Sequence, residues 1–200
     1  MKAAVIGAGY WGPNLIRNFL AHDEIDGVVS CDIDEARLAA MRRAFFGIET
    51  SSDATELIDR KDIDIVVIST PVSTHFELAK RALEQGKHVW LEKPMAASTR
   101  EAEELIEIAD RKGRKLFVDH TFIYTGAVRK MKELISDGRL GDIYYFDSVR
   151  VNLGLFQHDV NVIWDLAPHD LSIADYLLER RPVSVSALGT GHVGSGLEDI

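Results

Sequence analysis

Six residues near the amino terminus, Gly7-Ala8-Gly9-Tyr10-Trp11-Gly12, constrain this 200-residue chain more than any other stretch. They follow a short apolar run, Lys2–Ile6, and open a helical pattern, Trp11–Ala21. Glycine at the first position permits a tight strand-to-helix turn. At the second it leaves the backbone open to a ligand, and at the third it lets helix and strand pack closely. The start of the helix offers unsatisfied N–H groups and a partial positive charge, as a diphosphate requires. Asp32 supplies a second, independent sign: it lies 20 residues beyond Gly12, at the end of another apolar run, Gly27–Cys31. A carboxylate there accepts from both hydroxyls of an adenosine ribose and repels a 2′-phosphate. Ile33 and Asp34 offer no cation to accept that phosphate, so the expected cofactor is NAD and not NADP. The expected cofactor contacts here are Gly7, Gly9, Tyr10, Trp11, Gly12 and Asp32. A glycine-rich turn beside a strand-end acid, or an FAD site, are the alternatives.

The rest of the amino-terminal part keeps the same rhythm. Strand-like runs at Asp64–Ile68, His88–Leu91 and Lys115–Val118 alternate with helical patterns at Glu35–Ala44, Asp53–Arg60, Thr74–Gln85 and Ser98–Lys112. The last of these opens on Ser98 with Glu101 three residues on, a capping box, and is followed by Gly113. Such alternation predicts βαβ units, a parallel sheet and helices on both faces. Near residue 120 the rhythm changes. A helix is expected at Ala127–Ser136, an alternating strand at Asp142–Val151, a helix at Leu171–Leu178 and a strand at Pro182–Leu188. The closing Leu-Glu-Asp-Ile reads as the beginning of another strand. The expected fold is α/β: a Rossmann doubly wound parallel sheet in residues 1–119, then a different α/β domain in 120–200.

Composition narrows the partners. A hydrophobic fraction of 46% and a charged fraction of 28% are those of an ordinary globular protein. A net charge of −9 argues against nucleic acid or an anionic membrane as the main partner. The run Ile63–Ile68 contains Asp64 and is too short to cross a bilayer, and the amino terminus lacks the pattern of a signal peptide. Cys31 is the only cysteine, which excludes an internal disulfide and a thiolate metal cluster and suits a cytoplasmic protein. Two His-Asp pairs, His158-Asp159 and His169-Asp170, were weighed as metal ligands, but hydride chemistry needs no metal and none is expected. A serine hydrolase is disfavoured because there is no G-x-S-x-G elbow.

Four segments in order resemble the Gfo/Idh/MocA oxidoreductases: the glycine loop, Ser69-Thr70-Pro71 followed by His75, Glu92-Lys93-Pro94, and Trp164-Asp165-Leu166-Ala167-Pro168-His169-Asp170 with its D-x-x-x-H spacing. The resemblance covers nearly the whole chain. It implies a second domain with a mostly antiparallel open sheet, truncated here, since residues 120–200 are fewer than that domain has in the family. It also implies a homo-oligomer through that sheet. His120-Thr121-Phe122, Val151-Asn152-Leu153-Gly154 and Trp164–Asp170 look closest to members acting at C3 of UDP-N-acetyl-hexosamines. The activity implied is NAD-dependent oxidation of a secondary hydroxyl of a sugar or nucleotide sugar. An inositol dehydrogenase-like enzyme and a non-catalytic NAD-binding sensor are the alternatives.

Oxidising an alcohol removes a hydride and a proton, and three residues suit the work. Lys93, after the strand His88–Leu91, belongs at the carboxyl edge of the sheet, where its ammonium can polarise the hydroxyl and hold it near the cofactor. Pro94 stiffens that turn and is a candidate for a cis bond. His169 is assigned as general base, because an imidazole titrates near neutrality. With Pro168 at a first helical position, His169 falls in the first turn and Asp165 in the preceding loop, able to fix the ring tautomer. Spacing alone does not decide between Lys93 and His169 as proton acceptor. Thr70, Pro71, His75 and Glu92 are expected to line the cofactor, with turn and cap roles as the alternative for Thr70, Pro71 and His75, and Lys93 is expected to reach the nicotinamide ribose as well as the substrate. Lys93, His120, Tyr124, Asn152, Trp164 and His169 are expected at the substrate, and Asn161 is a further candidate for sugar hydroxyls.

Overall fold

The computed structural model describes residues 1–151, 160–193 and 196–200. The chain forms two units, residues 1–119 and 120–200.

In the first unit six parallel strands form one sheet in the order β3-β2-β1-β4-β5-β6. They are β1 (Lys2–Ile6), β2 (Gly27–Cys31), β3 (Glu49–Ser51), β4 (Ile65–Ile68), β5 (His88–Leu91) and β6 (Leu116–Val118). Five helices join them: α1 (Gly12–Leu20), α2 (Glu35–Ala44), α3 (Ala54–Asp59), α4 (His75–Glu84) and α5 (Thr99–Lys112). The order turns back between β1 and β4, which creates the crevice where ligands bind in such sheets.

Side-chain alternation sends successive residues of β1 to opposite faces. Ala4 and Ile6 join a core with Leu57 and Ile58 of α3, Ala79 and Leu83 of α4 and Leu105 and Ile108 of α5. Ala3 and Val5 join a second core with Leu15 and Ile16 of α1 and Met41 of α2. Helix starts follow their capping residues. Asp34 accepts from Ala36 N, and Asp53 from Thr55 N and Glu56 N. Ser98 Oγ accepts from Glu101 N at 3.3 Å, while the Glu101 carboxylate reaches back to Ala97 N at 3.1 Å. Gly113 ends α5 at a φ of 62°, the left-handed geometry that glycine tolerates best. Strand β3 has no counterpart in the sequence reading. It is three polar residues at the sheet edge, too short for a period to be visible.

The second unit holds α6 (Gly126–Ser136) and α7 (Val162–Leu178) after a 3-10 turn at Thr121–Tyr124. Two expectations are corrected. Asp142–Val151 and Pro182–Leu188 contain no strand, nor do the closing residues Leu197–Ile200. Tyr144, Val149, Val151, Val183, Val185 and Leu188 are exposed, so the alternating pattern has no sheet face to bury here. No antiparallel sheet is found among the described residues of this unit. Helix α7 starts at Val162, not Leu171, and carries Pro168 inside it. Asn161 sets the start, its Oδ1 accepting from Trp164 N at 2.9 Å. That cap and the apolar residues after it outweigh the single backbone bond that Pro168 removes.

Candidate functional site

The glycine loop sits at the carboxyl end of β1. Gly7 has a φ of 101°, and a Cβ there would lie 2.6 Å from Ser69 O. A Cβ on Gly12 would lie 2.1 Å from Gly7 O, so only glycine lets α1 return this closely. Gly9 differs: its nearest obstacle is Arg37 Nη1 at 3.8 Å. The missing side chain at Gly9 therefore leaves room for a ligand and not for protein. No side chain caps α1, and its first turn holds no acid. Pro13 has no N–H, and Asn14 N and Leu15 N donate to Trp11 O, so it is chiefly the helix dipole and the glycine-loop backbone that favour an anion, which fits a dinucleotide diphosphate. Beside the loop, the exposed rings of Tyr10 and Trp11 stack at 6.5 Å.

Asp32 is buried at the end of β2. Its Oδ2 accepts from Ala8 N at 2.8 Å and its Oδ1 from Asp34 N at 2.9 Å, fixing the carboxylate against the loop. Arg37 Nη1 stands 3.4 Å from Oδ2, with the Arg37 side chain half exposed. Ile33 and Asp34 offer no cation, but Arg37 brings one beside Asp32. Arg37 comes from the first turn of α2, five residues on, and the sequence reading looked only at the two residues directly after Asp32.

Across the crevice, Ser69 Oγ donates to Gly7 O at 2.8 Å, and Ser69 N to Ile6 O at 2.8 Å. Thr70 is half-buried and Pro71 exposed. His75 is buried, with Nδ1 2.9 Å from Pro94 O and Nε2 2.9 Å from Thr70 O. Carbonyl oxygens lie within hydrogen-bond reach of both ring nitrogens, so His75 braces the two turns. The Lys93-Pro94 peptide is cis.

Lys93 is half-buried just past β5. Its neighbour Glu92 has one carboxylate oxygen, Oε1, buried without a hydrogen-bond partner. Burial pushes the Glu92 carboxyl up to about 8, helped by the charge of Asp119 and a hydrogen bond with it, while the Lys93 ammonium and backbone N–H pull the other way. Asp119, buried at the end of β6, was missed in the sequence reading. An acid ending a strand at the ligand edge was the signal available.

In the second unit, Asp165 lies in the first turn of α7 and His169 four residues later, on one face. The expected placement is thus corrected: His169 is in the helix interior and not in its first turn, and Asp165 is in the helix and not in the loop before it. Its ring meets Phe122 edge-on at 4.7 Å, and the Arg150 guanidinium lies 4.7 Å over Phe122. Arg150 also grips Asp170 through Nε at 3.0 Å and Nη2 at 3.2 Å, and Ser148 Oγ adds a bond at 2.7 Å. Burial opposes ionisation of Asp170, but these bonds outweigh it and hold the carboxyl below its usual range. Trp164 and Tyr124 are both exposed, and Arg129 lies over the Tyr124 ring at 5.7 Å. His120 immediately precedes the 3-10 turn. Asn152 lies outside the described residues.

A separate apolar cavity of about 490 Å³ lies beside α1, lined by Phe19, Ile25, Ile65, Trp90 and Phe117. It also touches Met1, His88 and Lys115, at the amino ends of the strands, and so is away from the glycine loop.

The sheet order, the bare glycine loop and the strand-end carboxylate are those of a dinucleotide-binding Rossmann fold. Residues 1–120 match the model of the oxidoreductase family with an NAD-binding Rossmann fold, and residues 128–200 match the GFO/IDH/MocA C-terminal domain. The chain belongs to the GFO/IDH/MocA oxidoreductase family. It is 30% identical over 199 residues to UDP-N-acetylglucosamine 3-dehydrogenase of Acidithiobacillus ferrooxidans, covering 96% of this chain and 59% of that protein. It is 31% identical over 191 residues to inositol 2-dehydrogenase 2 of Saccharopolyspora erythraea, covering 94% and 56%. The crystal structure of myo-inositol 2-dehydrogenase from Lactobacillus plantarum superposes with a TM-score of 0.67 at 25% identity, over 72% of this chain and 43% of that one. The chain spans about half the length of the curated relatives it matches. No helix among the described residues is long and apolar enough to cross a membrane.

Proposed function

We propose that this chain is the cofactor-binding part, with the beginning of the substrate-binding part, of an NAD-dependent dehydrogenase that oxidises a secondary hydroxyl of a sugar or nucleotide sugar. The observation that carries this reading is the open face of Gly9 beside an uncapped α1 and the fixed carboxylate of Asp32. Gly7, Gly9 and Gly12 shape the cradle, Tyr10 and Trp11 flank it, and Thr70, Pro71 and Glu92 border its nicotinamide side. The bound dinucleotide supplies the hydride acceptor. Lys93 donates from its ammonium to the substrate hydroxyl and favours the alkoxide. His169 takes the hydroxyl proton, and Asp165, one helical turn earlier, orients its ring. His120, Tyr124, Asn152 and Trp164 contact the sugar.

C3 of a UDP-N-acetyl-hexosamine is the favoured reacting position, on the likeness to the Acidithiobacillus enzyme; an inositol is next, on the likeness to the Saccharopolyspora enzyme. The protein works in the cytoplasm as a homo-oligomer. Burial, with the charges of Asp32 and Asp53, pushes the Cys31 thiol up to about 12, which makes it a poor nucleophile. A second reading, NADP as cofactor, is favoured by Arg37, whose half-exposed guanidinium can pair with a 2′-phosphate.

The test is full-length protein with NAD or NADP, screened against UDP-hexosamines, inositols and free hexoses for reduced-nicotinamide absorbance. Turnover with a UDP-hexosamine and NAD supports the reading. Dinucleotide binding with no turnover on any of these alcohols would favour the sensor alternative.

A further inference from the structure

Strands β5 and β6 end side by side on two acids. The register pairs Leu91 with Val118, so Glu92 and Asp119 occupy adjacent places just past the ladder. The backbone fixes both: Glu92 N donates to Ile68 O at 2.9 Å, and Asp119 N to Leu91 O at 2.8 Å. Asp119 is only 5% exposed, and Glu92 Oε1 is buried without a partner. The Asp119 carboxyl, by its charge and as a hydrogen-bond partner, is among the causes that raise the Glu92 carboxyl. A hydrogen bond between two carboxyls needs a proton on one of them, because ionised carboxylates only accept. Two neighbouring carboxyls that burial shields from water do not readily both ionise at neutral pH.

We propose that Glu92 and Asp119 hold one proton between them and act as a single monoanionic acid that sets the charge beside Lys93, with Asp119 a positioning residue that works through Glu92. This rests on the reading of Lys93 as the group that polarises the substrate hydroxyl. With one proton bound, the pair presents one negative charge to one ammonium. When that proton leaves, two negative charges compete with the substrate hydroxyl for the Lys93 ammonium. The charged and titratable groups near Glu92 include Lys93 in its own loop, Asp119 just past β6 with His120 next to it in the chain and, from α4, His75, whose ring bonds the carbonyl of Pro94. On the β4 side stand Ser69 and Thr70, which carry no charge. The elevated position of the Glu92 carboxyl, near 8, agrees with a proton retained at neutral pH. The ionisation belongs to the pair and not to either residue alone.

Difference infrared spectroscopy on the full chain, without dinucleotide, reads the carbonyl stretch of a protonated carboxyl directly. The wild type should show one such band at neutral pH, lost with a midpoint near 8. Glu92→Gln should lack it. Asp119→Asn should move its loss lower by about one pH unit or more, because the anionic neighbour is gone. Asp119→Glu, which keeps an acid, should keep the band and rescue the pH profile of hydride transfer that Asp119→Asn alters. A wild type without the band at neutral pH overturns the proposal, and so does a band that Glu92→Gln and Asp119→Asn leave in place. Lys93→Met separates the two ideas. If it retains full turnover, the reading of Lys93 fails, whereas the band reports on the acid pair whatever Lys93 does.

Discussion

In residues 1–119 every strand has a hydrogen-bonded neighbour, and two apolar cores fill the faces of one sheet. In residues 120–200 the described backbone holds two α-helices, and Val128 and Leu177 are the buried hydrophobic residues found there. The difference is one of partners more than of sequence quality. A parallel strand inside a doubly wound sheet meets its neighbours within the same 119 residues. An alternating segment such as Asp142–Val151 needs a strand beside it to satisfy its backbone and cover its apolar side chains. Without one, Tyr144 is 91% and Val149 75% exposed. A stable cradle on one unit and catalytic candidates on both imply that dinucleotide binding and turnover depend differently on the two units.

The sharpest way to break that division is to mutate each side of the proposed chemistry. His169→Asn, in the second unit, should lower turnover by about 10²–10⁴-fold, the usual contribution of a general base. Lys93→Met, in the first, should lower it by about 10²–10³-fold. The His169 variant should bind dinucleotide as the wild type does. Steady-state rates beside fluorescence titration of NADH decide this. A His169 variant with normal turnover confines the chemistry to the first unit.

Gly12→Ala should come next in effect, and on stability. Its Cβ would meet Gly7 O at 2.1 Å, so α1 must shift, at about 1–3 kcal/mol. Thermal melting should show the first unit weakened and dinucleotide binding reduced with it. An alanine accommodated without loss would mean that α1 is not held against the loop.

A smaller effect is expected from pH. The Glu92 carboxyl sits near 8 in the folded protein against an ordinary 4.5. The folded state therefore retains a proton that the unfolded chain releases, and stability falls as pH rises between those values. Glu92→Gln removes that dependence, so its melting temperature should gain on the wild type from acid to mildly alkaline pH. A gap that stays constant with pH contradicts the shift. The smallest change is assigned to Arg37→Ala, which should alter the ratio of NAD to NADP affinity by about tenfold or less, a surface ion pair being weak. An unchanged ratio would remove Arg37 from cofactor selection.

The elements best read from sequence are those whose signals are local. The segments Gly27–Cys31, Glu35–Ala44 and His88–Leu91 are bounded in the structure as their periodicity predicts. The Ser98 cap and the Gly113 terminus likewise stand where the pattern puts them. What was not legible depends on contacts made in space. Pro168 reads as a helix start, yet Asn161 begins α7 seven residues earlier and leaves the proline inside. The bracing role of His75 is not legible in a line of text, because the two carbonyl groups at its ring come from separate turns. Arg37 and Asp119 gain meaning only when α2 folds back toward Asp32 and β6 aligns with β5.

Titration calorimetry of NAD into the folded chain bears most directly on the cradle. Wild type should release heat and saturate at one dinucleotide per chain. Asp32→Ala, which loses both the ribose acceptor and the tie to Ala8 N, should bind at least about tenfold more weakly, a difference of 1.4 kcal/mol. Absence of heat with NAD and NADP alike, or equal binding by the Asp32 variant, would contradict the account.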